Sequence, residues 1–169
     1  MEKAELLRLL EEVKNGSVTP EDAALKLKQA PFEDLGYAVV DHHRALRQGA
    51  KEVIYGAGKT PEQMDGILHS MESRGETDII ITRLAPEAAE MLKQNHDLDY
   101  DPLSRFGLVN PTKTVTAPGF IAVVSGGTSD MPVCEEAART AEALGNRVER
   151  MYDVGVAGLH RLLDRKSVV

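Results

Sequence analysis

Apolar residues recur at helical spacing near the start of the chain, with Leu6, Leu7, Leu9, Leu10 and Val13 ahead of Asn15-Gly16, and predict a helix over residues 3–14. Thr19-Pro20-Glu21-Asp22 restarts the pattern. Thr19 suits an N-cap, Pro20 the first helical position, and the two acids the positive end of the helix dipole. Ala23, Ala24, Leu25 and Leu27 follow, so the pair reads as a helical hairpin with its leucine and alanine stripes in the core. Its expected role is packing or subunit contact. Strand-favouring residues occupy 35–40 and 52–55, and Lys59-Thr60-Pro61-Glu62 opens a helix to about Ser73. Ile79-Ile80-Ile81 predicts a strand, and Pro86 starts a helix carrying Ala88, Ala89, Met91 and Leu92. From Leu98 to Pro118 the pattern is least regular, with Pro102, Pro111 and Pro118, which predicts a linker or crossover ending near Gly119. A strand at 120–125, a helix at about 131–144, a strand at 147–152 and a helix at about 156–164 complete the chain.

The fold class is therefore α/β. An N-terminal helical hairpin and small α/β region, residues 1–117, precede half of a doubly wound parallel sheet at 118–169. Two strands do not bury both faces of two helices, so the earlier segment, a partner subunit or further chain is expected to complete that core.

Composition narrows the function. With 42% hydrophobic and 28% charged residues among 169, the chain has the balance of an ordered globular protein. Twenty Lys and Arg against twenty-seven Asp and Glu, a formal charge of −7, exclude a broad basic surface for nucleic acid. A single cysteine, Cys134, excludes an intrachain disulfide and a cysteine-based zinc cluster. No apolar run approaches the roughly 18 residues that span a membrane, and the start lacks a signal-peptide core, so a cytoplasmic protein without membrane contact is expected.

The strongest chemical signal is Ser125-Gly126-Gly127-Thr128-Ser129-Asp130, between the apolar run Phe120 to Val124 and the helix starting near Met131. Strand, glycine-rich turn and helix build an anion site: glycines admit close approach, and free N–H groups and small hydroxyls bind phosphate or ribose oxygens. A second turn, Met151 to Gly158, places Asp153 just past a strand, with Gly155 and Gly158 at the next helix start. Adjacent parallel strands end on one sheet edge, so the two turns are expected side by side around one nucleotide pocket. Gly56-Ala57-Gly58-Lys59-Thr60 fails the P-loop spacing, because Val53 stands where the first glycine belongs, and Pro61 breaks the dinucleotide fingerprint. Lys59 remains a candidate ligand or ion-pair residue. His42 and His43 are adjacent and diverge on any regular element, so a shared metal is not expected, and no metal ligands are assigned. Asp41 with Arg44 or Arg47 suits a local ion pair, and His42 a polar cluster. Arg83 completes the weaker candidates.

Asp41-His-His-Arg-Ala-Leu-Arg-Gln-Gly49, Glu52-Val-Ile-Tyr-Gly56, Gly58-Lys-Thr-Pro-Glu-Gln63, Gly127-Thr-Ser-Asp-Met-Pro132 and Asp153-Val-Gly-Val-Ala-Gly-Leu-His-Arg161 together resemble the LarB family of nickel-pincer cofactor biosynthesis, over nearly the whole chain and in the family's order. The resemblance implies a flavodoxin-like domain similar to phosphoribosylaminoimidazole carboxylase. It also implies carboxylation of the pyridinium ring of nicotinic acid adenine dinucleotide at C5, with carbon dioxide as co-substrate, hydrolysis of the phosphoanhydride, release of AMP, and magnesium as the ion. Ring-like homo-oligomers belong to the same expectation. The purine enzyme's loop reads Gly-Ser-x-Ser-Asp, so Ser129 and Asp130 match it, whereas its histidine-bearing Ser-Ala-His-Arg-Thr-Pro loop is replaced here by residues 153–158. A purine-pathway mutase is thereby disfavoured. In LarB proteins a cysteine in an Asn-Ser-Cys-Ala type motif adds to the ring and makes it nucleophilic toward carbon dioxide. Cys134 is not its counterpart, so no catalytic residue is assigned, the chain reads as the N-terminal region plus the first half of the carboxylase-like domain, and a nucleotide-binding or assembly module without chemistry is the alternative.

Overall fold

A computed structural model describes residues 3–28, 32–42, 44, 52–155, 160 and 163. The chain packs as two compact units, Met1–Glu52 with Asp65–Gly75, and Val53–Met64 with Glu76–Val169.

In the first unit, α1 (Lys3–Lys14) and α2 (Pro20–Lys28) form the expected hairpin. Thr19 caps α2: its Oγ1 accepts the Asp22 N–H at 3.1 Å and donates to Asp22 Oδ2 at 2.8 Å. Thr19→Ala is expected to cost about 1 kcal/mol, measured as a lowered midpoint of urea unfolding. The stripes are not core throughout. Leu9 and Ala23 are buried, but Leu7, Leu10, Leu25 and Leu27 are exposed, because one stripe per helix is all that a two-helix layer covers. The strand expected at 35–40 is instead a hairpin of β1 (Phe32–Asp34) and β2 (Val39–Asp41), antiparallel with Phe32 opposite Asp41. Asp34 makes the turn by accepting the Gly36 N–H at 2.8 Å, and Gly36 takes φ +80°, which a side chain resists.

The second unit holds a four-stranded sheet in the order β3-β4-β6-β5, built from β3 (Val53–Tyr55), β4 (Ile79–Thr82), β5 (Leu98–Asp101) and β6 (Phe106–Val109). β3 and β4 are parallel; β6 runs antiparallel to both β4 and β5. Between β3 and β4 the chain forms α3 (Pro61–Ser73), whose first turn belongs to this unit, and α4 (Pro86–Leu92) follows β4. Ile54, Ile79, Ile81, Leu84, Ala89, Leu92, Phe106 and Val109 make the core. The stretch read as irregular therefore contains a β-hairpin. Pro102 sits in the turn between the strands and Pro111 just past β6, and the turn is closed by Asp101, which accepts the N–H of Ser104 at 2.9 Å and its hydroxyl.

After residue 119 the expected order appears: β7 (Phe120–Val124), a 3₁₀ turn (Thr128–Asp130), α5 (Met131–Ala143) and β8 (Arg147–Met151), with β7 and β8 parallel. This is the βαβ unit of a flavodoxin-like sheet, and the α/β class holds for the described residues. α5 packs on β7 and β8 and also meets β4 and β6. Phe120, Ile121 and Val124 nevertheless remain 48%, 40% and 50% exposed, since a pair of strands covers too little of a run whose every residue is apolar. The helix expected at 156–164 lies outside the described residues except for His160 and Leu163.

Candidate functional site

The two turns expected to meet do so. The Val154 N–H donates to the Ser125 carbonyl at 3.0 Å, the Gly155 N–H to the Gly126 carbonyl at 2.9 Å, and the Asp153 N–H to Ser125 Oγ at 3.1 Å. Parallel pairing of Val124 with Met151 forces this, because both strands end at the same level and their exits have only each other to bond. Gly155 packs so closely that a Cβ there would overlap the Gly126 carbonyl oxygen. Asp153 takes φ +58°, the sharp reversal the second turn needs.

Within the first loop the residues have different tasks. Ser125 is buried, with its hydroxyl spent on the junction between turns, so it positions the loop. Asp130 Oδ2 accepts the Gly127 N–H at 3.0 Å, holding the loop closed over its own first amide. The N–H groups of Gly126, Thr128 and Ser129 have no acceptor among the described residues, and Thr128, Ser129 and Asp130 are exposed. A Cβ on Gly126 would meet nothing closer than Asp130 Oδ2 at 3.6 Å, so internal packing does not require glycine there. Open amides and hydroxyls beside small residues form an anion cradle. Gly158 lies outside the described residues.

The remaining candidates fall elsewhere. In the first unit His42 is buried, its Nε2 3.3 Å from Glu33 Oε2 and 3.2 Å from Ser70 Oγ, while Ser70 donates to Glu33 Oε2 at 2.8 Å. This is not a nucleophile relay: the serine proton already points at the carboxylate, and acid and hydroxyl share one imidazole nitrogen. The Ser70 hydrogen bond, with His42 and the nearby Arg74 guanidinium, holds the Glu33 carboxyl below its ordinary 4.5 against the upward push of burial. Arg44 pairs with Glu52 at 3.1 Å rather than with Asp41, which ends β2; Arg47 lies outside the described residues. Lys59 follows the β3 turn, where Gly56 packs against the Thr82 carbonyl, and its ammonium has no partner among the described residues. Arg83 lies beyond β4, its Nε 3.5 Å from Glu136 Oε2 on α5.

Sequence pattern did not mark the charge cluster behind the loop. Glu135 on α5 accepts Arg150 Nε at 2.9 Å, Arg150 Nη2 at 3.1 Å, Arg139 Nε at 3.1 Å and the Tyr152 hydroxyl at 2.7 Å. Burial pushes its carboxyl up, but the hydrogen bonds from Arg150 and Tyr152 and the two guanidinium charges win and hold it below 4.5. Burial first, then the hydrogen bond to Glu135 and that carboxylate's charge, push the Tyr152 phenol up against the opposing Arg150 guanidinium. Only the i, i+4 spacing of Glu135 and Arg139 was visible in the sequence. A larger cleft of about 470 Å3, between Phe106, Leu108, Val115 and Val148, contains none of the loop residues.

An α/β protein with a parallel strand-turn-helix cradle is the class that this geometry defines. Residues 32–111 match the family described as LarB/PurE-like N-terminal domain, which agrees with the likeness read from the motifs and supports a LarB/PurE-type relationship. Over 161 residues, 91% of the chain, it is 32% identical to an uncharacterized protein of Methanocaldococcus jannaschii, of whose length it spans 63%. No described helix is long and apolar enough to cross a membrane.

Proposed function

We propose that this chain is the N-terminal region and first half of the carboxylase-like domain of a LarB-type enzyme, divided near residues 117 and 118. The whole protein then converts nicotinic acid adenine dinucleotide, carbon dioxide and water to pyridinium-3,5-biscarboxylic acid mononucleotide and AMP. The observation that carries this reading is the junction of Ser125–Gly126 with Asp153–Gly155, which leaves the Gly126, Thr128 and Ser129 amides open at one sheet edge. Those amides and the Thr128 and Ser129 hydroxyls take phosphate or ribose oxygens, and Ser125 and Gly155 fix their position. Oxygen donors suit magnesium, and Asp130 and Asp153 are the carboxylates bordering the cradle. These carboxylates would hold such an ion, which would supply charge neutralisation toward a phosphoanhydride. Asp41, His42 and Arg44 serve the first unit's polar framework, and Lys59 and Arg83 are cations available to an anionic ligand.

The described residues favour a second reading as well. Cys134, the chain's single cysteine, is half-buried on α5 with Sγ 3.8 Å from the Val124 carbonyl, so no thiolate for ring addition is at hand, and the chain by itself is a binding or assembly module. One assay separates them. Incubation with nicotinic acid adenine dinucleotide, carbon dioxide and magnesium yields AMP if the chain is itself catalytic, and saturable binding without AMP if it is the module. In either case Ser129→Ala is expected to weaken binding about tenfold, the worth of one charged hydrogen bond. Absence of saturable binding by the unaltered chain overturns both.

A further inference from the structure

Arg83 and Arg105 occupy positions that the fold alone does not favour. β4 and β6 pair antiparallel as far as Ile81 opposite Gly107, and Arg83 and Arg105 lie just past the ends of these strands at one edge of the sheet. The Leu84 N–H donates to the Arg105 carbonyl at 2.9 Å, so the two chains are still joined there. Like charges brought to one small cavity repel. Both residues also sit in the left-handed region, each at φ +55°, where a residue with a side chain loses about 1 kcal/mol. Glu136 answers Arg83 at 3.5 Å, but Arg105 is exposed and has no ion-pair partner among the described residues. The two arginines line one cavity of about 120 Å3 with Glu136 and with Pro132 and Val133, which lie one and two residues beyond Met131 at the end of the loop. That volume admits a phosphoryl group and is far below the several hundred Å3 of a whole-ligand pocket.

We infer that Arg105, assisted by Arg83, contacts a second phosphate of the ligand whose first oxygens lie at the Gly126, Thr128 and Ser129 amides. This rests on the nucleotide reading of the loop. An arginine fork suits a phosphate with two parallel N–H···O bonds, and anion binding relieves the repulsion between the guanidinium groups.

Equilibrium binding of adenosine, AMP and ADP to the full chain and to Arg105→Gln tests it. ADP affinity is expected to fall about tenfold while AMP and adenosine stay within about twofold. Equal loss for all three, or no loss for ADP, overturns the assignment of Arg105. If the unaltered chain binds neither nucleotide, the loop reading fails first and this inference with it; if AMP binds and ADP is indifferent to Arg105, only this inference fails. Arg105→Gly adds a readout that folding alone would not give, since glycine removes the guanidinium and accepts φ +55°. Its thermal midpoint is expected to hold or rise as ADP binding falls. A lower midpoint shows that the arginine supports the fold instead.

Discussion

Glu135→Ala is expected to destabilise the second unit by about 3 kcal/mol, seen as a lower urea midpoint with unchanged slope. Its carboxylate is 12% exposed and collects hydrogen bonds from Arg150, Arg139 and Tyr152. Without it the Tyr152 hydroxyl loses its acceptor, and the two arginines that share the site keep Glu142, Asp101 and, at 4.0 Å, Asp99. The arginines are 30% exposed, which lets water answer part of the charge and sets the estimate at the low end for a broken buried pair. Tyr152→Phe removes one neutral-to-charged bond and is expected to cost about 1.5 kcal/mol. The pH dependence has a definite sign. A carboxyl held below 4.5 in the fold contributes stability that is fully present above 4.5 and is lost as pH falls through the lower folded value. Stability of the unaltered protein and of Glu135→Ala should therefore converge as the medium is acidified below 4.5. A constant difference down to the acid transition contradicts the assignment.

Gly155→Ala separates the turn junction from the ligand contacts. Its Cβ overlaps the Gly126 carbonyl oxygen, and since the neighbour is backbone, no flexible end yields. The expected cost is about 2 kcal/mol, from overpacking and a weakened Gly155 to Gly126 hydrogen bond, together with loss of measurable nucleotide binding. Gly126→Ala is the contrast. Its Cβ has room, with Asp130 Oδ2 nearest at 3.6 Å, so stability is expected to change by less than about 1 kcal/mol. Binding should still drop about tenfold, because the methyl group occupies the space a phosphate uses. Isothermal titration with AMP beside urea unfolding reads both quantities. Equal binding by Gly126→Ala and the unaltered chain would remove the loop from the ligand site.

The hairpin of α1 and α2, the strand at β4 and the succession β7, turn, α5 and β8 were determined by sequence alone. Their signals are local: Thr19 with Asp22 three residues on, Pro86 and Pro132 at helix starts, an unbroken apolar run before glycines. Even the meeting of the two turns followed from sequence, because parallel neighbours must exit at one edge.

Tertiary structure decided the rest. The first part of the strand expected at 35–40 became a turn through one Asp34 carboxylate and one left-handed Gly36, while Val39 and Val40 kept their place in β2, and the proline-marked stretch proved to hold β5 and β6, whose pairing needs a partner strand to declare itself. Burial of the leucines on α1 and α2 depended on what faces them, which periodicity does not specify. Glu135 reaches Arg150 and Tyr152 fifteen and seventeen residues away, and Arg83 and Arg105 come to one cavity only because β4 and β6 lie side by side. Periodicity and capping act within a helical turn or along one strand, whereas register and charge partners are selected among distant segments by the packing that excludes water from them.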